Sequence, residues 1–589
     1  MKYNLKEFYQ EVESYKNIIK KHKEKEFLIL LNTKDKNAFF SIAPLSRAFH
    51  DLKKDINITI SDKKEALKNI NQIWDTYSDL KKRKSNKKTK LLREFISFVK
   101  KKIKDKKTKD YFESIFEKPV ILKANKKGFE SKNLFLPYKS KWFKAYRTND
   151  LNKTCRRILT QCYNIKKNER ISLGFELIPT KKDLGLPLKD YFDSYAISWA
   201  MLNQARKVTK NVAMGTSTSR FKLLDFGEKI SELKATIIGC ELSKDIDLKV
   251  FKIYKKLSKA LDIKIKFSGM TFFIHGKGNS GRHIFGEFIG YPSPDKKTKW
   301  KSPGGIIYKL DWAPQSRIDK RNPIARVGFT ETLPIDVFIS SCYVNYKDIW
   351  KRNNAIKQVG EKCEYVIVEG KQTNFKVYLK KKNGKMRWFR ASDSDVRYKV
   401  NPEMLKKEKI KTGMFANFPG GEAFVTPEYV EGRITGDVII SVDQSYRINP
   451  NKPIIIEVDK KGYKILSGEK KILDKIKEKK KEAWSVIKQD EKNKSLPKEI
   501  IELKKKNFNN IGEFAINTNP KAKLCNYLIV NEKIARMIHV ALGSGFEPDK
   551  ISAYHYDIVI NAAKQKLNIY GMTKDNKELW IMKKGKLVV

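Results

Sequence analysis

From about residue 148 the chain alternates strand-like and helix-like segments, and this rhythm restricts the fold more than any other feature. "NERISLGFELIP" reads as a strand, "LKDYFDSYAISWAMLNQARKV" as a helix and "NVAMGTS" as a short strand. "FKLLDFGEKISEL" reads as a helix, "ATIIGCEL" as a strand, "LKVFKIYKKLSKAL" as a helix and "IKIKF" as a strand. Strands separated by helices of this length build mostly parallel open sheets, because each crossover must return the chain to the sheet edge it left. An α/β domain is therefore expected over 148–345, regular to about 265 and interrupted near 266–345 by a Gly-, Pro- and aromatic-rich insertion.

A chain of 589 residues is too long for one ordinary core, and more than one domain is expected. Residues 1–147 are lysine-rich, with amphipathic stretches such as "NLKEFYQEVESYKNIIKKHKEKEF" and "LLREFISFVKKKIKDK" around the charge run "DLKKRKSNKKTK". They read as a basic helical extension. The formal charge of +58 raises the question of nucleic acid, but the basic residues are spread over the whole length, so no dedicated interface is delimited. The six cysteines, Cys155, Cys162, Cys240, Cys342, Cys363 and Cys525, form no C-x-x-C pair. That argues against a disulfide framework or zinc ribbon and for a reducing, cytoplasmic setting. The N-terminus has no apolar signal core, and "FLILL" is too short to span a bilayer, so no membrane association is expected.

Gly276, Gly278 and Gly281 match G-x-G-x-x-G, but no adequate helix follows and no acid stands on a second strand at the required distance, which excludes a dinucleotide site. His275 and His283 beside them read as surface groups. From 346 to 589 a helix-then-strand unit, "NYKDIWKRNNAIKQVGEKCEYVIVEG", is followed by the Asn-Gly hairpin "KVYLKKKNGKMRWF" and by short strands around the charged helix "EKKILDKIKEKKKEAWSVIK".

Four segments of this last portion carry polar groups where the pattern calls for burial. In "AYHYDIVI" strand alternation points His555 and Asp557 to one face, with Tyr554, Tyr556 and Ile558 on the other. In "FANFPGGEAFVTP" Glu422 follows a turn made by Pro419, Gly420 and Gly421. Glu513 lies in "NNIGEFAINTNP", and His539 is the polar residue within the apolar run of "EKIARMIHVALGSGF". Three of the four have a plainer reading when taken alone: a core His–Asp pair, a glutamate exposed on a turn, a satisfied core histidine. Together, two imidazoles and three carboxylates suit two divalent metal ions of the zinc, cobalt or manganese kind. Such a pair activates a water for amide hydrolysis.

The order "PGGEAF", "IGEFAINTNP", "EKIARMIHVALG", "HYDIVI" strongly resembles the thermophilic metalloaminopeptidase family of the aminopeptidase T type, with fainter likeness back to "CYNIKKNERISLGFE". The resemblance implies a two-domain α/β architecture, here with the basic N-terminal extension added, and a C-terminal catalytic domain at 346–589. It implies a dinuclear site with Glu422, Glu513, His539, His555 and Asp557 as metal ligands, and Glu513 bridging. It makes Glu532 a further ligand, a group holding a ligand, or the catalytic base. The implied activity is removal of N-terminal residues from peptide substrates by a metal-activated water, in a homodimer. Where the family has a tyrosine that stabilises the oxyanion, an ungapped count places Phe546, which has no donor. That departure leaves two other readings: an impaired metal-binding homologue acting as a binding module, and a basic nucleic-acid-associated protein.

Overall fold

The apolar run "EFLILL" is an inner strand of a sheet. In the computed structural model it forms β1 (Glu26–Leu31), paired in parallel with β2 (Asp55–Ser61) on one side and β3 (Val120–Ala124) on the other. Phe27, Leu28, Ile29 and Leu31 are all buried, as a parallel strand covered on both faces requires. The structure describes residues 3–217 and 326–589, leaving out 32–34, 62–63, 103–115, 140, 144–148, 168–170, 175–177, 179–186, 211, 382, 398–414 and 494–497, and adds 256, 259–261, 270–275, 291–292 and 300–301.

The chain divides into two compact units, the first made of Met1–Gly276, Pro303–Ile335 and Val396–Phe415. Its sheet continues through β4 (Gly128–Ser131), β5 (Leu134–Pro137), β6 (Ile171–Gly174), β7 (Val212–Ser217), β8 (Met270–His275) and β9 (Arg326–Glu331). These strands lie in the order β9-β8-β6-β7-β2-β1-β3-β4-β5. β6 runs parallel to β7 and β8, and β8 parallel to β9, whereas β2 meets β7 antiparallel. The predicted parallel character of the 148–265 region is present in the strands described there.

Residues 1–147 are not a helical extension, since five strands of this sheet lie within them. Helices α1 (Leu5–Ile19) and α2 (Lys36–Asp51) flank β1 in sequence, and α1 buries Phe8, Val12, Tyr15 and Ile19 along one stripe. Asn4 and Asp35 cap the two helices by accepting from the backbone N–H groups of Glu7 and Ala38. The lysines occupy the remaining faces, and their abundance hid the crossover pattern. The expected insertion is also narrower than 266–345, because β8 and β9 belong to the sheet. The segments "FKLLDFGEKISEL", "ATIIGCEL" and "IKIKF", most of the helix expected at 248–261, the three glycines of the G-x-G-x-x-G match and His283 lie outside the described residues.

The second unit comprises Lys277–Ser302, Asp336–Asp395 and Ala416–Val589. Helix α3 (Tyr346–Lys362) leads into β10 (Cys363–Glu369), which pairs with β11 (Asn374–Tyr378), so the helix-then-strand unit forms as predicted, and a Lys380–Met386 bridge closes the hairpin around the Asn-Gly turn. Two sheets follow. The strands that make the second of them are β12 (Arg390–Ser392), β13 (Glu422–Val425), β14 (Ile439–Ser441), β15 (Ser445–Arg447), β16 (Ile511–Asn517), β17 (Ile538–Gly543) and β18 (His555–Ile560). They lie in the order β12-β13-β16-β17-β18-β14-β15.

One face of this sheet is apolar. Ala423 and Val425, Phe514 and Ile516, Ile538, Val540 and Leu542, and Tyr556, Ile558 and Ile560 enter one core with Val366, Val368, Phe375 and Val377 of the first sheet. The charged helix α4 (Lys470–Lys492) adds Ile472, Ile476 and Ala483 from a single stripe. Alternation then fixes what the opposite face must carry: Glu422, Glu513, His539, His555 and Asp557.

Candidate metal centre

Four adjacent antiparallel strands bring the five predicted residues onto one surface. Glu422 is paired with Asn517, Ala515 with His539, Glu513 with Ala541, Ala541 with Asp557, and Gly543 with His555. The small residues Ala515, Ala541 and Gly543 leave room between the long polar side chains. A register shift between Ile511 and Glu513 sends Ile511 into the core while Glu513 stays on the polar face. The residue that makes this bulge is Gly512, where an added Cβ would lie 2.0 Å from the carbonyl oxygen of Ser544.

The turn before β13 is equally constrained. Gly421 has φ +140°, and a Cβ there would meet Asn519 at 2.5 Å. The Gly421 carbonyl accepts from the Thr518 N–H at 2.7 Å, and the Gly420 carbonyl from the Asn519 side chain at 2.9 Å. The "PGGE" turn is thus fastened to the segment after β16, and Glu422 enters the sheet at a fixed place beside Glu513.

Within the site Glu513 presents one oxygen to each imidazole. Its Oε1 lies 3.5 Å from His539 Nε2 and its Oε2 lies 3.2 Å from His555 Nε2. His539 Nε2 is also 3.6 Å from Glu422 Oε2, and His555 Nε2 is 3.2 Å from Asp557 Oδ1. The far nitrogens are tied off, since His539 Nδ1 donates to Asn517 Oδ1 at 2.9 Å and His555 Nδ1 to the Ser544 carbonyl at 2.6 Å. This tautomer leaves each Nε2 lone pair facing carboxylates, the arrangement found around metal-ligating histidines. Glu422 Oε2 and Asp557 Oδ1 are buried with no hydrogen-bond partner, which is costly unless a cation completes them.

The donor set fits divalent metal ions. One ligand atom from each member lies within 4.8 Å of the others in Glu422–Glu513–His539, in Glu513–His555–Asp557 and in Glu532–His539–Asp557. Glu513 belongs to the first two groups, as a shared carboxylate must. Glu532 joins the third, so the structure brings the sixth predicted residue to the same place.

The electrostatics tell the same story in protons. Burial disfavours charge on every group here. Glu513 is nonetheless held down to about 2, because His539 and His555 outweigh its burial. Burial is likewise outweighed at His539, which Glu513, Glu422 and Asp557 raise to about 9, and at His555, raised by Asp557 and Glu513. Glu422 is pushed up to about 8, burial and the carboxylates of Glu532 and Glu513 prevailing over Lys533 and His539. Positive charge is what this site lacks.

Lys533 was not legible as a site residue. Its side chain is wholly buried, and its Nζ lies 2.6 Å from both Glu422 Oε1 and Glu532 Oε1. Asn517 and the Ser544 carbonyl were missed as well. The only sequence signal for Lys533 is a cation adjoining an acid at the edge of an apolar run, and lysine is too common in this chain for that to stand out.

The ring centroid of Phe546 lies 5.2 Å from that of His555 and 5.2 Å from that of Phe424. Tyr554 is turned into the core, where its hydroxyl meets Tyr463. Among the described residues no helix is long and apolar enough to cross a membrane, and Cys155, Cys162, Cys342, Cys363 and Cys525 are not joined in disulfides.

No family model and no curated protein matches the chain. Among solved structures it is similar to wild-type AmpT from Thermus thermophilus, at 12% identity and a TM-score of 0.39, over 75% of this chain and 99% of that one. A likeness of that size leaves the reading of the site to its own geometry.

Proposed function

We propose that the chain is a metal-dependent hydrolase that removes N-terminal residues from peptides, using two divalent cations held by Glu422, Glu513, His539, His555 and Asp557. The observation that carries the metal reading is Glu513, with one oxygen toward each Nε2, flanked by buried oxygens of Glu422 and Asp557 that accept no hydrogen bond. The likeness of the four motifs to the metalloaminopeptidases supports the choice of peptide N-termini as substrate.

When bound, the cations supply Lewis acidity, polarising a carbonyl and making water a competent nucleophile at neutral pH. The chain's own groups do the rest. Asn517 and the Ser544 carbonyl hold the two imidazoles in ligand orientation. Glu532, buried beside His539 and Asp557, would take a proton from water and return it to the leaving amine. Phe546 and Phe424 provide apolar surface next to His555.

The test is metal content per chain together with hydrolysis of leucine amide after zinc or cobalt supplementation. About two ions per chain with release of leucine is expected, and Glu513→Gln is expected to lose both. A Glu513→Gln protein with full metal content and full turnover would sink the assignment. Two ions without turnover would instead mark a metal-binding homologue that no longer hydrolyses, a reading that Phe546 favours because its ring offers no donor to an oxyanion.

A further inference from the structure

Lys533 is a lysine buried among the candidate ligands, and metal binding does not itself call for it. We infer that Lys533 is a positioning residue: its ammonium commits Oε1 of Glu422, leaving Oε2 alone to a cation shared with Glu513 and His539. This inference rests on the metal reading above.

A carboxylate beside a cation has two equivalent oxygens and can rotate or chelate through both. Glu422 has no such freedom. Its Oε1 is 2.6 Å from Lys533 Nζ, a charge-assisted bond in a side chain with no exposure. Its Oε2 has no hydrogen-bond partner and lies 3.6 Å from His539 Nε2. Lys533 is itself fixed from two sides. Its N–H donates to the Val530 carbonyl at 3.1 Å, and its carbonyl accepts from the Asn519 N–H at 2.9 Å. Asn519 is the residue that also holds the Gly420 carbonyl. One residue therefore sets both the start of Glu422's strand and the backbone of the lysine that aims its side chain. The second arm of the ammonium holds Glu532 Oε1 at 2.6 Å, which fixes that carboxylate beside His539 and Asp557.

The arrangement is asymmetric. The group Glu513–His555–Asp557 has no ion pair with Lys533, so the two cations should differ in their dependence on it. Zinc titration of the metal-free protein, followed by calorimetry, reads this directly, and the visible spectrum of the cobalt-loaded protein gives a second signature. Wild type is expected to take two equivalents. Lys533→Met is expected to keep one at wild-type affinity and to bind the other about 10–100-fold more weakly, the loss typical when a group that orients a metal ligand is removed.

Two equivalents bound by Lys533→Met at wild-type affinity would overturn the inference. A wild-type protein that takes up no metal would overturn the functional reading instead, and the two failures cannot be confused. Lys533→Met strands two buried carboxylates. If circular dichroism shows it unfolded, Lys533→Met with Glu532→Gln removes the ammonium and one partner together. Its weaker equivalent is then compared with that of Glu532→Gln alone: a further loss supports the role of Lys533, and equal affinities reject it.

Discussion

Phe546 shows how much of the chemistry rests on single atoms. Its ring packs edge-on against His555, and its N–H donates to Thr426 Oγ1 at 2.9 Å, so the ring's position is set by the loop as well as by packing. A hydroxyl on this ring would add a donor to a side chain that packs against His555. Phe546→Tyr is therefore expected to raise kcat on leucine amide about tenfold at unchanged metal content, recovering part of what an oxyanion donor supplies. A hydroxyl that leaves kcat unchanged would show that another donor already does this work. Asn517 acts at one remove. Asn517→Ala removes the acceptor that fixes the His539 tautomer, and a loss of about 10–100-fold in zinc affinity is expected by calorimetry. Equal affinity would mean that packing alone orients the ring.

At the scale of elements, the loop between β17 and β18 holds Phe546 and supplies the carbonyl that orients His555, and Arg387 fastens it. Arg387 is fully buried, yet it donates from Nη1 to Glu547 and Asp549 at 2.5 and 2.9 Å and from Nη2 to Asp549 and Glu428 at 2.7 and 2.6 Å. Removing it leaves three carboxylates facing a hole. Because they are themselves partly solvated, Arg387→Met is expected to cost about 2–3 kcal/mol, below the range for fully buried pairs. Burial pushes Asp549 up, but Arg387 outweighs it, so its carboxyl titrates below the ordinary value near 3.8. A lowered folded value means the contribution is complete above about pH 4 and fades as pH falls through that lowered value. Chemical denaturation of wild type and Arg387→Met should therefore converge on acidification. A constant gap down to pH 3 would assign the loss to packing. The site strands were legible because alternation is visible in six residues: "HYDIVI" displays its two faces outright. The bulge at Gly512 was not, since its cause is the Ser544 carbonyl across the sheet. Nor were β1 to β5, whose helices carry so many lysines that "FLILL" reads only as an apolar run too short to span a bilayer.

For the whole molecule the charge of +58 obscures as much as it suggests. One lysine, Lys533, is buried in the candidate centre, whereas helices such as α1 and α4 carry theirs mainly on solvent-facing surfaces, so composition gives no means of separating them. Described lysines line helices in both units, α1 and α4 among them, and the face of β13, β16, β17 and β18 that holds the candidate ligands carries buried acids and imidazoles. Charge and site are therefore expected to act independently. Association with duplex or single-stranded nucleic acid should be the diffuse kind, falling steeply between 50 and 200 mM salt because it depends on counterion release from phosphates. It should be the same for wild type, for Glu513→Gln and for chelator-treated protein, measured by fluorescence anisotropy across that salt range. Affinity that survives 200 mM salt and disappears with the metal would reverse this order. The acidic face would then serve nucleic acid through its cations, and hydrolysis of peptides would no longer be the better reading.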